Sequence, residues 1–233
     1  MPLELDNILI TGRTYDEYAT FFDLDEQMLI GKKVLDCPSG ASSFIKTARD
    51  KEIFAQGVDI LYEYDIEDIY EQGKVSIDKI YEDSSWMDGF NFEFYRSIEN
   101  HKKHRIDALE SFVKDYNKDD YSFMELPKLN FENDSFDLVL SSHLLFVYDD
   151  RFDYEFHKNA ILEMLRVSKE VRLFPLVDFQ NKHEKKEKNF SPYVYMILED
   201  LKEYRCEILK VDFEFQPRAN FMLKISKNLH KRI

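Results

Sequence analysis

Two short apolar runs with a helical stretch between them constrain the fold of this 233-residue chain more than any other feature. The first run covers residues 34–37 and stops at a turn that contains Pro38 and Gly40. Helical spacing of apolar residues resumes from Phe44, and the second run covers residues 53–60. Two strands joined through a helix lie parallel in one sheet. The pattern therefore predicts a βαβ unit of an α/β protein.

Further strands are predicted in the second half of the chain. Residues 121–125 and 135–142 form apolar runs, and the continuous apolar centre of the second suits a strand covered on both faces. Residues 171–174 form another run, which we expect to end at Pro175 because proline cannot donate to a central ladder. Apolar and polar residues alternate over residues 209–216 and again after a short turn, which predicts two antiparallel strands at a sheet edge.

Capping residues predict the starts of two helices. Asp149 or Asp150 is suited to cap a helix that carries Phe156 on its apolar side. Ser191 followed by Pro192 predicts another start, because serine caps well and proline fits the first helical position. Both helices would cover the predicted sheet.

The chain is expected to form a single domain over residues 1–233. Residues 1–30 are acidic and aromatic, and their spacing predicts a short helical cap. Residues 61–120 contain helical patterns and no convincing strand, so we interpret them as a helical insertion above the sheet. The remaining residues, 31–60 and 121–233, would form the core.

Charge and composition restrict the partners and the compartment. The chain has 46 acidic and 32 basic residues and a formal net charge of −14, which argues against non-specific binding to DNA, RNA or acidic lipid. Its two cysteines cannot form a disulfide framework, and its start lacks the pattern of a secretory signal. No apolar run approaches the ~18 residues of a membrane helix. We therefore expect a cytoplasmic protein with neither nucleic acid nor membrane as a partner.

Four anchors, in this order and spacing, resemble the class I S-adenosylmethionine-dependent methyltransferases. They lie at residues 34–42, at residues 57–60, at Glu125 before residues 129–131, and at residues 135–139. The resemblance implies an α/β fold with a Rossmann-like, seven-stranded, mostly parallel sheet, a C-terminal antiparallel hairpin and a helical insertion. It also implies S-adenosyl-L-methionine as cofactor and transfer of a methyl group to a small molecule or a protein.

The turn after the first strand departs from the pattern of that family. The family has three glycines in alternate positions after the acidic residue, whereas this chain has Pro38, Gly40 and Ser42 there. Proline contributes no N–H group, and a side chain at the third position limits how closely backbone can approach a ligand. This composition disfavours a dinucleotide more than S-adenosylmethionine, because a pyrophosphate needs surrounding N–H groups.

The resemblance assigns further cofactor contacts to acidic side chains. Asp59 follows the turn at about the distance expected of the carboxylate that binds the ribose hydroxyls. Glu125 corresponds to the acid or amide near the adenine amino group. Asp36, at the end of the first strand, would face the methionine ammonium group directly or through water.

The end of the strand at residues 135–142 and the N-terminal segment complete the predicted site. Ser141 and Ser142 would contact the cofactor, and His143 is a candidate general base for an incoming O–H or N–H nucleophile. A structural or cofactor-contacting histidine is the alternative. Arg13 and Tyr18 would fold over the cofactor as a lid, and the alternative is a helix that only packs.

Several alternatives remain open at this stage. A nicotinamide- or nucleotide-dependent enzyme on a doubly wound sheet and a non-catalytic member of the methyltransferase fold compete with the main hypothesis. His101 and His104 have a spacing that can bind zinc, but no further ligands are nearby, so we predict no metal site. The lysine-rich residues 182–188 are either a solvated loop or a clamp for an acidic substrate. The aromatic residues around Trp86 either line a substrate pocket or pack on the sheet.

Overall fold

Seven strands form one sheet in the computed structural model, which describes residues 9–177 and 190–228. The lysine-rich residues 182–188 lie outside the described residues. In chain order the strands are β1 (Lys33–Asp36), β2 (Phe54–Asp59), β3 (Tyr121–Phe123), β4 (Phe136–Ser142), β5 (Ser168–Phe174), β6 (Arg205–Lys210) and β7 (Phe221–Ser226).

The spatial order of the strands is β3-β2-β1-β4-β5-β7-β6. The first five strands pair in parallel, whereas β7 runs antiparallel to both β5 and β6. The chain begins the sheet at its centre with β1, builds outward to β3, and then returns to place β4 on the other side of β1. This arrangement is a Rossmann-like, seven-stranded, mostly parallel sheet with an antiparallel C-terminal pair, so the predicted fold class is confirmed.

Helices connect the parallel strands and cover the sheet. They are α1 (Tyr15–Phe21), α2 (Glu26–Leu29), α3 (Phe44–Asp50), α4 (Ile66–Glu82), α5 (Ile98–Asp115), α6 (Tyr154–Val167) and α7 (Pro192–Asp200). Within the described residues, none of these helices has both the length and the apolar character needed to cross a membrane.

The core lies on both faces of the sheet. Neighbouring residues of β1 point to opposite faces, as the period of a strand requires. Val34 packs on one side with Phe44 of α3 and Phe112 of α5. Leu35 packs on the other side with Ile161 of α6 and Val194 of α7. A strand covered on both faces accounts for the continuous apolar runs in the sequence.

The structure confirms one predicted helix start and corrects the other. Ser191 caps α7, where its Oγ accepts a hydrogen bond from the Tyr193 N–H at 3.2 Å. Helix α6 is capped by Asp153, which accepts from the Phe156 N–H at 2.8 Å, and not by Asp149 or Asp150. A separate 3-10 helix ends just before Asp149, so the chain must turn again before α6 can begin.

The prediction of a strand over residues 209–216 was wrong in its limits. Strand β6 ends at Lys210, although β6 and β7 form the expected antiparallel pair. Beyond it, Phe213 and Phe215 belong to a loop and pack against rings from other parts of the chain. Alternation alone cannot distinguish a strand from a loop whose rings contact a distant partner. Strand β5 ends at Phe174, directly before Pro175, as expected.

The helical block between β2 and β3 supplies the crossover that two parallel strands require. Helix α5 packs on α3, and α4 packs on α5. Helix α1, near the N-terminus, packs on α3 and begins with a capping box between Thr14 and Glu17. Through these contacts, α1, α4 and α5 lie near the edge of the sheet where β1 and β2 end.

Candidate functional site

A cavity of about 780 Å³ opens at the carboxyl ends of β1, β2 and β4. Here the order of strands reverses around β1, which is where open α/β sheets bind ligands. The cavity is of a size that holds small ligands in proteins. Most of the predicted site residues line it, namely Arg13, Tyr18, Pro38, Gly40, Asp59, Glu125, Ser142 and His143.

Asp59 forms hydrogen bonds to two separate segments on the wall of the cavity. Its Oδ2 accepts a hydrogen bond from the Gly40 N–H at 2.8 Å, and its Oδ1 accepts from the Leu61 N–H at 2.9 Å. Burial raises the pKa of Asp59, and the backbone hydrogen bonds from Leu61 and Gly40 oppose that shift. Each carboxylate oxygen keeps a further lone pair, so Asp59 can still accept from ligand hydroxyl groups.

Gly40, in the loop after β1, has open space in front of its backbone. Its φ is +56°, a left-handed conformation that glycine adopts without steric cost. No atom lies within 4 Å of the position where a Cβ would be. The Gly40 carbonyl oxygen accepts a hydrogen bond from the Tyr62 hydroxyl at 2.7 Å, which holds the loop in place.

Asp36 does not line the cavity, although the resemblance implied that it faces the methionine ammonium group directly or through water. Its side chain is fully buried behind Tyr18, whose hydroxyl group lies 3.0 Å from both carboxylate oxygens. The Ser39 hydroxyl donates to Oδ2 at 2.8 Å. Burial raises the pKa of Asp36 to about 8, although both hydroxyl donors lower it. Tyr18 therefore stands between this carboxyl group and the cavity.

Ser42 and Ser141 also lie outside the cavity lining. The Ser42 hydroxyl donates to the Arg13 carbonyl oxygen at 2.9 Å and accepts from the Phe44 N–H at 3.0 Å. Ser141 is buried in β4, where it pairs with Leu173 of β5. Ser42 thus anchors the N-terminal segment and the start of α3, and Ser141 belongs to the sheet.

Glu125 lies at the rim of the cavity, just after β3. Its side chain is exposed, and its carbonyl oxygen accepts from the Lys128 N–H at 2.9 Å. Asp59 pairs with Phe123 at the end of β3, so Glu125 lies two residues beyond the end of the neighbouring strand. A carboxylate there can accept a hydrogen bond from an amino group in the cavity.

His143 has a backbone conformation that is uncommon for a residue with a side chain. Its φ is +55°, and its N–H donates to the Phe174 carbonyl oxygen at 2.7 Å. The ring Nδ1 lies 2.7 Å from the Ser142 hydroxyl oxygen. Burial, and to a lesser extent Arg13, hold the pKa of His143 well below 6.5. The imidazole is therefore neutral at neutral pH, and the same burial makes it a weaker base.

The N-terminal segment is docked tightly on the loop after β1. The Ser43 N–H donates to the Arg13 carbonyl oxygen at 3.0 Å. A Cβ at Gly12 would overlap the Ala41 carbonyl oxygen, so only glycine permits this approach. The docking places the side chain of Arg13 at the cavity and α1 above it.

A buried ionic cluster next to the cavity was missed by the sequence analysis. Glu17 of α1 forms an ion pair with Arg105 of α5, and both side chains are buried. The Tyr95 hydroxyl donates to Glu17 at 2.5 Å, and Arg105 Nη1 donates to the Gly12 carbonyl oxygen at 2.6 Å. Burial raises the pKa of Glu17, but Arg105 and Arg13 lower it to about 2. Glu17 is therefore ionised.

The sequence does contain a signal for this cluster. Arg105 lies on the same helical face as His101, Leu109 and Phe112, all of which are buried. A charged residue in an apolar stripe requires a buried partner. The partner, Glu17, lies 88 residues away along the chain, so its identity cannot be deduced from the pattern.

Two aromatic segments, residues 84–97 and 211–220, cover the cavity. The ring of Phe215 lies 5.2 Å from that of Phe90, 5.1 Å from that of Phe92 and 4.4 Å from that of His101, measured between centroids. The Asn91 N–H donates to the Phe215 carbonyl oxygen at 2.8 Å. Trp86 and Phe90 line the cavity together with Phe213 and Phe215. The aromatic residues near Trp86 thus combine the two roles considered above, since they pack together and line a pocket.

The described residues contain no group of three or more His, Cys, Asp or Glu side chains arranged to hold a metal ion. His101 Nδ1 instead lies 2.8 Å from the Tyr81 hydroxyl oxygen.

A curated relative covers nearly the whole chain. It is the uncharacterized protein MJ0045 of Methanocaldococcus jannaschii, which is 33% identical over 229 residues, or 97% of this chain and 99% of the relative. The chain belongs to the MJ0045 family. No protein-family model matches the sequence.

Solved structures similar to this member of the MJ0045 family include several methyltransferases. A putative S-adenosyl-L-methionine-dependent methyltransferase of Methanococcus maripaludis is 13% identical, with a TM-score of 0.46, over 94% of this chain and 85% of that chain. A putative RNA methyltransferase of Pyrococcus horikoshii is 12% identical, with a TM-score of 0.45, over 91% and 84%. Magnesium protoporphyrin IX methyltransferase of Synechocystis, with bound SAM, is 12% identical, with a TM-score of 0.45, over 92% and 78%. The order of the strands, and not these alignments, defines the fold.

Proposed function

We propose that this protein is an S-adenosylmethionine-dependent methyltransferase acting on a small-molecule or protein acceptor. One observation carries the proposal. At the switch point of a class I methyltransferase sheet, Asp59 holds the Gly40 loop by a 2.8 Å hydrogen bond and lines a cavity with it. Glu125 lies on the neighbouring strand end at the rim of the same cavity.

The residues present fit this cofactor. The open space in front of Gly40 leaves room for a ligand against the backbone. Asp59 offers carboxylate oxygens to two ribose hydroxyls, and Glu125 offers an acceptor to the adenine amino group. A dinucleotide fits less well, because Pro38 removes an N–H group from the loop that would have to bind the pyrophosphate.

Positioning would account for most of the rate enhancement. The cofactor supplies a methyl group already activated by a sulfonium. The protein aligns the acceptor with it, and alignment of this kind can contribute about 7–11 kcal/mol. His143 is the candidate for taking the proton that the acceptor loses, because it lies on the cavity wall beside Phe174.

Calorimetric titration with S-adenosylhomocysteine and, separately, with NAD tests the proposal. We expect saturable binding of S-adenosylhomocysteine and no heat from NAD. Binding of NAD alone would instead support the nicotinamide-dependent enzyme considered above. Binding of S-adenosylhomocysteine without methyl transfer to any acceptor would support the alternative that the protein is a non-catalytic member of the methyltransferase fold.

A matched pair of glycine variants locates the bound ligand. Gly40 and Gly31 both have positive φ, +56° and +73°, and both have open space where a Cβ would be. Gly40→Ala and Gly31→Ala therefore carry similar backbone strain, of the order of 1–2 kcal/mol. Only Gly40 lines the cavity, so we expect Gly40→Ala alone to lose affinity for S-adenosylhomocysteine.

A cytoplasmic location is part of the same proposal. Cys37 and Cys206 are both free thiols, which agrees with a reducing compartment.

A further inference from the structure

The imidazole of His143 is held through its backbone, through one ring nitrogen and through its ring. The backbone N–H donates to the Phe174 carbonyl oxygen at 2.7 Å, and Nδ1 lies 2.7 Å from the Ser142 hydroxyl oxygen. The ring of Phe174 lies 5.6 Å from the imidazole and that of Phe21 lies 5.2 Å from it, measured between centroids. These contacts fix the ring and the direction in which its second nitrogen points.

The second ring nitrogen of His143, Nε2, has no partner among the described residues. It makes no hydrogen bond to any of them, and it is not a buried atom. His143 is partly exposed, and both His143 and Ser142 line the cavity. Nε2 is therefore the nitrogen of the imidazole that is left to meet a ligand.

The backbone of His143 supports a role beyond packing. His143 directly follows β4, at the carboxyl edge of the sheet, and its φ is +55°. A residue with a side chain seldom adopts this left-handed conformation. Where such a conformation is held by surrounding contacts, it is often found at a functional site.

His157, on α6, shows by contrast how a structural histidine is bound in this protein. It is fully buried, and both of its ring nitrogens lie 2.8 Å from backbone carbonyl oxygens. Nδ1 contacts the carbonyl of Asp153, and Nε2 contacts that of Leu145. Neither nitrogen of His157 is left for a ligand, whereas His143 is paired through one nitrogen only.

The Ser142 hydroxyl selects which nitrogen of His143 carries the hydrogen. A neutral imidazole has one N–H group and one lone pair, and the partner of one nitrogen sets the role of the other. If Nδ1–H donates to Ser142, the lone pair is on Nε2, and the hydroxyl can rotate its own hydrogen toward the cavity. The reverse arrangement places on Nε2 a hydrogen that has a fixed direction and no acceptor among the described residues. The first arrangement therefore fits the site better.

We propose that Ser142 is a positioning residue that accepts from Nδ1–H of His143 and thereby directs the Nε2 lone pair at the methyl acceptor. This inference rests on the proposed function, and it adds the atom that acts and the residue that orients it. The acceptor class that this arrangement serves is a hydroxyl or an amine, because such a group must lose a proton when it is methylated.

The proton transfer balances in atoms and charge. The O–H or N–H bond of the acceptor breaks, and its electron pair stays on the acceptor atom. The proton forms a new N–H bond with the Nε2 lone pair of His143. The imidazolium so formed keeps its Nδ1–H hydrogen bond to Ser142, and its positive charge replaces that of the sulfonium.

Long-range proton–nitrogen correlation spectra of the protein labelled with nitrogen-15 test the proposal, because they distinguish a protonated from an unprotonated ring nitrogen. The spectra are recorded at neutral pH, without ligand and with saturating S-adenosylhomocysteine, and the His143 signals are assigned by their loss in His143→Gln. We expect the tautomer with hydrogen on Nδ1 to exceed the other by about fivefold or more, the effect of one hydrogen bond. A smaller excess, or hydrogen mainly on Nε2, would show the proposal to be wrong.

Variants of Ser142 test whether it is the residue that orients His143. Ser142→Ala should lower the ratio of the two tautomers by about fivefold or more, and Ser142→Thr, which keeps a hydroxyl group, should restore it. Ser141→Ala is the matched control, because Ser141 is the neighbouring serine of β4 and lies outside the cavity lining. An unchanged ratio in Ser142→Ala would overturn the role of Ser142. Loss of affinity for S-adenosylhomocysteine with that unchanged ratio would assign Ser142 to the cofactor instead.

Failure of the proposed function gives a different result. If S-adenosylhomocysteine does not bind to the unaltered protein, the proposed function is overturned, and the role of His143 in methyl transfer is overturned with it. If it binds and His143 carries its hydrogen on Nε2, only the inference about Ser142 and His143 is wrong. The tautomer is measured in the unaltered protein, so the test remains decisive if Ser142→Ala does not fold.

Discussion

Asp36 and Asp59 end neighbouring parallel strands, but the structure gives them different environments. Asp59 accepts from two backbone N–H groups and lines the cavity. Asp36 accepts from the hydroxyls of Tyr18 and Ser39 and is sealed behind them. Two residues of the same type, at equivalent positions in sequence, are therefore expected to contribute differently to binding and stability.

Asp59→Asn should lower the affinity for S-adenosylhomocysteine by about ten- to a hundredfold, because the ribose hydroxyls lose a charged acceptor. It should also lower the stability of the free protein, since an amide cannot accept from both the Gly40 and the Leu61 N–H groups. Calorimetric titration and thermal unfolding measure the two effects. Asp65→Asn is the control, because Asp65 is exposed and makes no side-chain cap. Unchanged affinity in Asp59→Asn would remove Asp59 from the binding site.

Asp36 should make stability depend on pH between about 4 and about 8. Its pKa is about 8 in the folded protein and 3.8 as its ordinary value, so the folded state retains a proton that the unfolded chain releases in that range. The free energy of unfolding of the parent, relative to Asp36→Asn, should fall as pH rises, by at most about 1.4 kcal/mol per pH unit. Unfolding of both proteins at a series of pH values measures this difference. A constant difference would contradict the buried, protonated state of Asp36.

At the scale of elements, the cavity is assembled from segments that are distant along the chain. The N-terminal segment supplies Arg13 and Tyr18, and two loops supply Phe90 and Phe215. The segment that carries Arg13 is held to the loop after β1 by hydrogen bonds from Ser42 and Ser43. Its docking therefore couples the N-terminal segment to the loop that is proposed to bind the cofactor.

Gly12→Ala should undock the N-terminal segment, because the added methyl group would overlap the Ala41 carbonyl oxygen, which belongs to the backbone. We expect a loss of about 1–3 kcal/mol in the free energy of unfolding and faster hydrogen exchange in α1. Gly73→Ala is the control, since its methyl group would meet only the end of the Leu109 side chain, which can shift. Equal effects of the two substitutions would show that the close approach of Gly12 does not hold the segment.

At the scale of the whole molecule, charge is the dominant property. A formal net charge of −14 favours solubility and opposes contact with phosphate backbones.

The protein should not bind RNA, although the similar structures include a putative RNA methyltransferase. Fluorescence anisotropy with labelled single-stranded RNA and transfer RNA should show no binding tighter than about 10⁻⁴ M at physiological salt. The same titration at low salt is the control for weak electrostatic association. Saturable binding with a steep dependence on salt would refute the expectation drawn from the charge.

Local patterns in the sequence predicted most strands of the sheet and which of them run parallel or antiparallel. Runs at residues 34–37, 53–60 and 135–142 are apolar because both faces of those strands are covered, and this information is local. The capping signal at Ser191 is local as well, because serine accepts from an N–H group within the same helical turn. The antiparallel pairing of β6 and β7 followed from alternation, but the end of β6 did not.

The packing of distant segments sets which polar groups face the cavity. This packing covers Asp36 with Tyr18, places Asp59 on the cavity wall, and pairs Glu17 with Arg105, a residue 88 positions away. The alternating residues after β6 form a loop and not a strand, because Phe215 packs against Phe90 and not against a neighbouring strand. Periodicity reports the conformation and burial of a segment, whereas the partner of a buried charge or ring depends on how distant segments pack.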